Sequence, residues 1–179
     1  MVTPVQLSIP TELDMQALGR DLARLARPGD LIILDGPLGA GKTLPTQGIG
    51  AGLTVNGAII SPTFVIARIH RSLVAGPDLI HVDAYRLGEA ALLDDLDLEA
   101  LMPGAVTVIE WGKGLAEQLS ADHLLVEIAR SDDPLDDTRL VTVSPRGPRW
   151  DNLWDQWQSL VNDDMGRDAQ ADARGDEDD

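Results

Sequence analysis

The chain contains no cysteine, which excludes disulfides, thiolate metal sites and a cysteine nucleophile, and makes a reducing cytoplasm the expected compartment. Aromatic residues make up 3% of the 179 positions, so Leu, Ile, Val and Ala must build any core. Lysine occurs only as Lys42 and Lys113. No stretch approaches the ~20 apolar residues of a membrane span, and the segment MVTPVQLSIPTELD has neither the basic start nor the long apolar run of a signal peptide. A soluble, cytoplasmic protein is expected. With three His and no Cys, a transition-metal site has no support. The net charge of -16 opposes phosphate backbones and anionic lipid, which argues against DNA or a membrane as partner.

The length suits one core, and we assign residues 1–162 to a single domain. Residues 163–179 carry eight acids against Arg167 and Arg174 with almost no apolar anchor, the composition of a disordered acidic tail. Such a tail serves solubility or docks a basic partner.

Thr11 followed by Asp14 resembles a capping box, and Leu13, Ala17, Leu18, Leu22 and Leu25 recur at helical spacing until Pro28-Gly29. Leu31–Leu34 is an apolar run too short for a helix and suits a strand buried on both faces. A helix is expected from about Lys42 to Leu53. Strands are expected at Ala58–Ile60, Thr63–His70, Leu79–Asp83, Ala105–Glu110 and His123–Ala129, with helical segments at Glu89–Leu101 and Gly114–Leu119. Asp132-Asp133-Pro134 then predicts a hairpin from Leu124–Arg130 to Thr138–Ser144. The alternation of strands and helices gives an α/β class, a three-layer sandwich whose sheet is mostly parallel with one antiparallel edge hairpin. Trp150, Trp154 and Trp157 share one face of a terminal helix; three Trp on a stripe favour packing over a partner surface.

One segment carries chemistry outright. Gly36-Pro37-Leu38-Gly39-Ala40-Gly41-Lys42-Thr43 satisfies the G-x-x-x-x-G-K-S/T pattern, after a buried strand and before a helix, as in the P-loop NTPase fold. Glycines let successive N–H groups point at phosphate oxygens, and the helix adds its positive end. Lys42 is expected on the β- and γ-phosphates of ATP, and the Thr43 hydroxyl on magnesium. Leu44 stands where many such loops carry a second hydroxyl for the α-phosphate. Pro45 lies in the first helical turn, where it removes no intrahelical bond.

A loop that offers magnesium one hydroxyl needs acidic residues at neighbouring strand ends. Asp83 ends one candidate strand and Glu110 another, where ligands bind in this architecture. Trp111 follows at once, either over the nucleotide, guarding the catalytic water, or in core or surface packing. His70 and His81 read most simply as strand residues.

Four segments together, GPLGAGKT, SPTF at Ser61–Phe64, HVDAYRL at His81–Leu87 and VIEWG at Val108–Gly112, resemble the TsaE (YjeE) family of small bacterial ATPases. The resemblance covers roughly residues 10–130. It implies ATP hydrolysis, with Mg2+, by a protein bound to a TsaB–TsaD heterodimer, which transfers a threonylcarbamoyl group to adenosine 37 of tRNAs reading ANN codons. It further implies that hydrolysis resets the complex, that the isolated protein is a weak ATPase, and that tRNA is met only indirectly. Carried over by position, Lys42, Asp83, Glu110 and Thr63 are the catalytic set. Gly36, Gly39, Ala40, Gly41, Lys42, Thr43, Leu44, Trp111, Pro10 and Glu12 would contact nucleotide, and Thr43, Asp83 and Glu110 the metal. Glu110 would polarise the attacking water or join the metal site, and Thr63 would sense the γ-phosphate. Leu44 and Pro45 depart from the family pattern. Two other classes fit the loop: a small-molecule kinase, which usually needs an arginine-rich lid although only Arg86 occurs between Asp83 and Glu110, and a module whose partner affinity is gated by nucleotide.

Overall fold

The structure is a computed structural model that describes residues 2–62, 66–85, 97–133 and 136–161. Its strands are β1 (Val5–Ile9), β2 (Leu31–Asp35), β3 (Ala67–His70), β4 (Asp78–Asp83), β5 (Ala105–Glu110), β6 (His123–Arg130) and β7 (Arg139–Arg146); its two long helices are α1 (Glu12–Leu25) and α2 (Thr43–Leu53). They form one sheet of seven strands in the order β1-β7-β6-β2-β5-β4-β3. The centre, β6-β2-β5-β4, is parallel. Antiparallel pairing closes both edges, with β3 on β4 at one side and β7 and β1 beyond β6 at the other. The sheet therefore has more antiparallel character than the one edge hairpin read from the sequence.

The LIIL run of β2 sits between two parallel neighbours, so its side chains alternate into two cores. Ile32 and Leu34 join one cluster with Leu18, Leu22, Ile49 and Val126. Leu31 and Ile33 join the other with Ile80, Val82, Ile109 and Leu98. All four are fully buried, and at roughly 1.5–3 kcal/mol each their burial anchors the strand that delivers the loop.

Helix α1 begins as its sequence indicates. The Thr11 hydroxyl accepts from the Asp14 N–H at 3.1 Å and Asp14 Oδ2 accepts from the Thr11 N–H at 3.0 Å, a reciprocal cap. Its inward stripe is Met15, Leu18 and Leu22, whereas Leu13 is 72% exposed. Helices α1 and α2 touch through backbone. A Cβ on Gly48 would stand 2.0 Å from the Gln16 carbonyl oxygen, and one on Gly19 would stand 2.1 Å from the Pro45 oxygen. The glycines that lower the helix propensity of α2 thus permit the contact that holds it.

Several local readings change. Val5–Ile9 is an unread edge strand whose Leu7 and Ile9 are buried. Residues 58–60 pair with no strand, because Ile59 turns its side chain onto Gly50 of α2. Of Thr63–His70, the described strand begins at Ala67. Of Gly114–Leu119, only Glu117–Leu119 coils, as a 3-10 turn. The helix read at Glu89–Leu101 is described at Leu98–Leu101; 86–96, Pro134 and the tail at 163–179 lie outside the described residues. Trp150, Trp154 and Trp157 are all buried in the α1 layer, and Trp154 Nε1 donates to the Thr3 carbonyl at 3.0 Å, so the stripe is core. Among the described residues no helix is long and apolar enough to cross a membrane.

Candidate functional site

β2 ends at Asp35 and α2 begins at Thr43, so residues 36–42 form the turn at the carboxyl end of the central strand. Ligands bind there in such sheets. Gly39 and Gly41 take φ of 75° and 93°, in the left-handed region that a side chain disfavours. Ala40 is fully buried, and its N–H donates to Pro37 O at 3.1 Å.

Lys42 folds across its own loop. Its Nζ donates to Gly36 O at 2.6 Å and to Pro37 O at 2.9 Å, and lies 3.6 Å from the centroid of the Trp111 ring, a cation–π contact. Burial pushes its pKa below the ordinary lysine range, while the carboxylates of Glu110, Asp35 and Asp83 pull it back. Trp111 keeps its ring in place by adopting a positive φ of 60°, donating its N–H to Leu34 O at 2.8 Å and meeting Tyr85 at a 4.9 Å ring separation.

The two strand-end acids are neighbours. Asp83 and Glu110 stand opposite each other in the β4–β5 register, and Leu34 stands opposite Glu110 on the other side. Both carboxylates are buried. Glu110 Oε1 accepts from the Thr43 hydroxyl at 2.9 Å and from His81 Nε2 at 2.8 Å. Asp83 Oδ1 accepts the Tyr85 N–H at 2.9 Å, and its Oδ2 accepts the Ser61 hydroxyl at 3.3 Å. Thr43, Asp83 and Glu110 make an all-oxygen donor set, the chemistry that suits a hard cation such as Mg2+. Among the described residues no cluster of three acidic or imidazole groups could hold a metal unaided, so phosphate oxygens and water would complete its shell.

The structure thus gathers Gly36, Gly39, Ala40, Gly41, Lys42, Thr43, Asp83, Glu110 and Trp111 at one end of the sheet. Leu44 is half-buried with its side chain over Gly41. Glu12 reaches the loop through an intermediary: its Oε1 lies 4.0 Å from Arg139 Nη2, and Arg139 Nε donates to Ala40 O at 3.3 Å. Pro10 is exposed beside the cap of α1. Thr63 lies outside the described residues. Among the described residues, Arg139, His81, Ser61 and Tyr85 are polar side chains at the site that the sequence reading left out of it. His81 shares the period-2 face of Asp83, a usable signal; Arg139 comes from β7 and carried none.

Strand, glycine loop, lysine, threonine and two strand-end acids on a central parallel sheet define the P-loop NTPase fold. The comparisons narrow this. Residues 9–140 match the family described as Threonylcarbamoyl adenosine biosynthesis protein TsaE. The chain is 54% identical over 138 residues to the tRNA threonylcarbamoyladenosine biosynthesis protein TsaE of Streptomyces coelicolor, covering 76% of this chain and 93% of that one. It is 34% identical over 144 residues to the protein of the same name from Bacillus subtilis, covering 80% and 87%. The crystal structure of Bacillus subtilis YdiB superposes with a TM-score of 0.72 at 30% identity, covering 90% of this chain and 99% of that one. The chain belongs to the TsaE family.

Proposed function

We propose that this protein is a magnesium-dependent ATPase that acts with a TsaB–TsaD pair in the threonylcarbamoylation of adenosine 37 in tRNAs reading ANN codons. The partner transfers the group, and hydrolysis here resets the complex. The observation that carries the reading is the convergence of Lys42 and Thr43, Asp83 and Glu110 from three sequence regions on the mouth of one loop. The relatives bearing the tRNA threonylcarbamoyladenosine biosynthesis name support the pathway, and work on tRNA supports a cytoplasmic location.

Lys42 would exchange two loop carbonyls for β- and γ-phosphate oxygens, which are stronger, charge-assisted acceptors. Loop N–H groups and the start of α2 stabilise charge on the transferring phosphoryl group. Thr43, supported by Asp83, would hold magnesium, which would supply positive charge against the transferring phosphoryl group. Glu110 orients the water that attacks the γ-phosphorus, and Thr63 senses the γ-phosphate. Slow turnover alone follows from groups tied up elsewhere: Lys42 on its own loop, Thr43 and Glu110 on each other. A docking partner that shifts this balance raises the rate.

The test is ATP hydrolysis by the purified protein with magnesium, alone and with the matching TsaB–TsaD pair, against a Lys42→Ala blank. Stimulation lost in the blank supports a partner-activated ATPase. Demonstrated ATP binding without stimulation overturns it.

A further inference from the structure

His81 is a fully buried side chain that neither the phosphate loop nor the acid pair explains. Its Nε2 bonds Glu110 Oε1 at 2.8 Å, while its Nδ1 is buried with no hydrogen-bond partner among the described residues. A carboxylate accepts, so Nε2 is the donor in this contact and Nδ1 is the nitrogen left without a partner among the described residues. An unmet buried polar atom costs stability, which Leu or Met at this position would avoid. The imidazole is therefore a poor choice for packing alone.

Its place in the sheet shows what it supplies. Asp83 stands directly opposite Glu110, and His81 stands opposite Val108, one pleat back. Residues two apart on a strand share a face, so His81 lies on the Asp83 face and reaches Glu110 along the diagonal of the pair, a span within reach of a long side chain. Asp83 itself offers Glu110 another carboxylate and no donor. The terminal torsion of a glutamate is broad and roughly two-fold, so a lone Glu110 would sample many carboxylate orientations. Two donors, Thr43 from α2 at 2.9 Å and His81 from β4 at 2.8 Å, meet on the same Oε1.

We infer that His81 is a positioning residue for hydrolysis, a rigid donor that pins one oxygen of Glu110 so that its carboxylate is aimed when nucleotide is bound. The inference rests on the proposed role of Glu110. His81 touches neither nucleotide nor water; it fixes the angle from which Glu110 does. Binding of ATP does not use it.

The experiment uses the full chain with His81→Leu, His81→Gln and Glu110→Gln. Three quantities are read: single-turnover ATP cleavage with protein in excess, ATP affinity with and without magnesium from tryptophan emission, and the thermal midpoint. Misaiming a reacting group by about 1 Å costs on the order of 100-fold in rate. His81→Leu is expected to slow cleavage by about that factor, with ATP affinity held within about twofold because lost aim lowers turnover and leaves ground-state binding alone. His81→Gln, whose amide can still donate, is expected to recover most of the rate. Wild-type cleavage by His81→Leu beside a dead Glu110→Gln overturns the inference and leaves the reading of Glu110 standing. Wild-type cleavage by Glu110→Gln overturns both. Should His81→Leu fail to fold, His81→Met takes its place; a His81→Gln protein that melts like wild type and cleaves as slowly as the donor-free variant also overturns it.

Discussion

The ammonium of Lys42 stands 3.6 Å from the centre of the Trp111 ring while donating to two carbonyls of its own loop. Phosphate oxygens outcompete carbonyls for an ammonium, so nucleotide should draw Lys42 away from the ring. Of the four Trp, the other three are buried in the α1 layer. ATP should change the tryptophan emission of the wild type and leave that of Trp111→Phe unchanged. A response that survives in Trp111→Phe would place the reporter elsewhere.

The same lysine makes stability depend on pH. Burial lowers its pKa from 10.5 against the opposing pull of Glu110, Asp35 and Asp83. A base whose pKa falls on folding binds fewer protons folded than unfolded, so its charged form destabilises the fold. That penalty is whole below the folded pKa and is relieved as pH rises through it. Stability relative to Lys42→Met should therefore grow between neutral pH and 10.5. Urea midpoints of both proteins at the two ends of that window test the sign; a gap that stays constant or shrinks contradicts it.

The α1–α2 contact leaves no room for a methyl group. Gly48→Ala would place Cβ 2.0 Å from a backbone oxygen of the neighbouring helix, and overpacking of this kind costs about 1–3 kcal/mol or more. Gly104→Ala is the control, because nothing lies within 4 Å and its φ is not positive; its effect should stay within about 0.5 kcal/mol. Because α2 carries Thr43, the loss in Gly48→Ala should appear in ATP affinity as well as in the unfolding midpoint.

Glu110→Gln keeps an oxygen for Thr43 and His81 to donate to while removing the charge. Losing a group that orients or activates water costs about 100-fold or more. Turnover should collapse with ATP affinity little changed, as read by isothermal titration beside a phosphate-release assay. Lost affinity would instead assign Glu110 chiefly to binding.

Arg139 ties Ala40 O to β7 and faces Glu12. Removing it frees the back of the loop, and we expect Arg139→Ala to weaken ATP binding by roughly tenfold, the equivalent of one hydrogen bond to a charged donor. Arg139→Lys should rescue little, since an ammonium cannot reproduce the spread of guanidinium donors to Ala40 and Asp137. Unchanged affinity in the alanine variant would reduce Arg139 to a packing role.

What was legible in the sequence was local. The phosphate loop, the strand before it and the capping box each occupy a few contiguous residues whose conformational demands are met by their own side chains. Asp83 and Glu110 could be picked as strand ends because apolar runs stop there. Less local features did not read so well. Val5–Ile9 is a short edge strand whose period-2 pattern becomes decisive only once β7 pairs with it. Residues 58–60 are β-branched enough to suggest a strand, yet Ile59 is spent on α2 and Ile60 is exposed.

By itself the sequence determined that a glycine loop with Lys42 and Thr43 follows a doubly buried strand, because backbone freedom, burial and helix start are properties of neighbouring residues. Only the tertiary structure decided that Asp83 faces Glu110, that His81 pins it from the next pleat and that Arg139 braces Ala40 from 99 residues away. Those relations depend on which strands become neighbours and in what register, and sheet order is settled by the packing of the whole core.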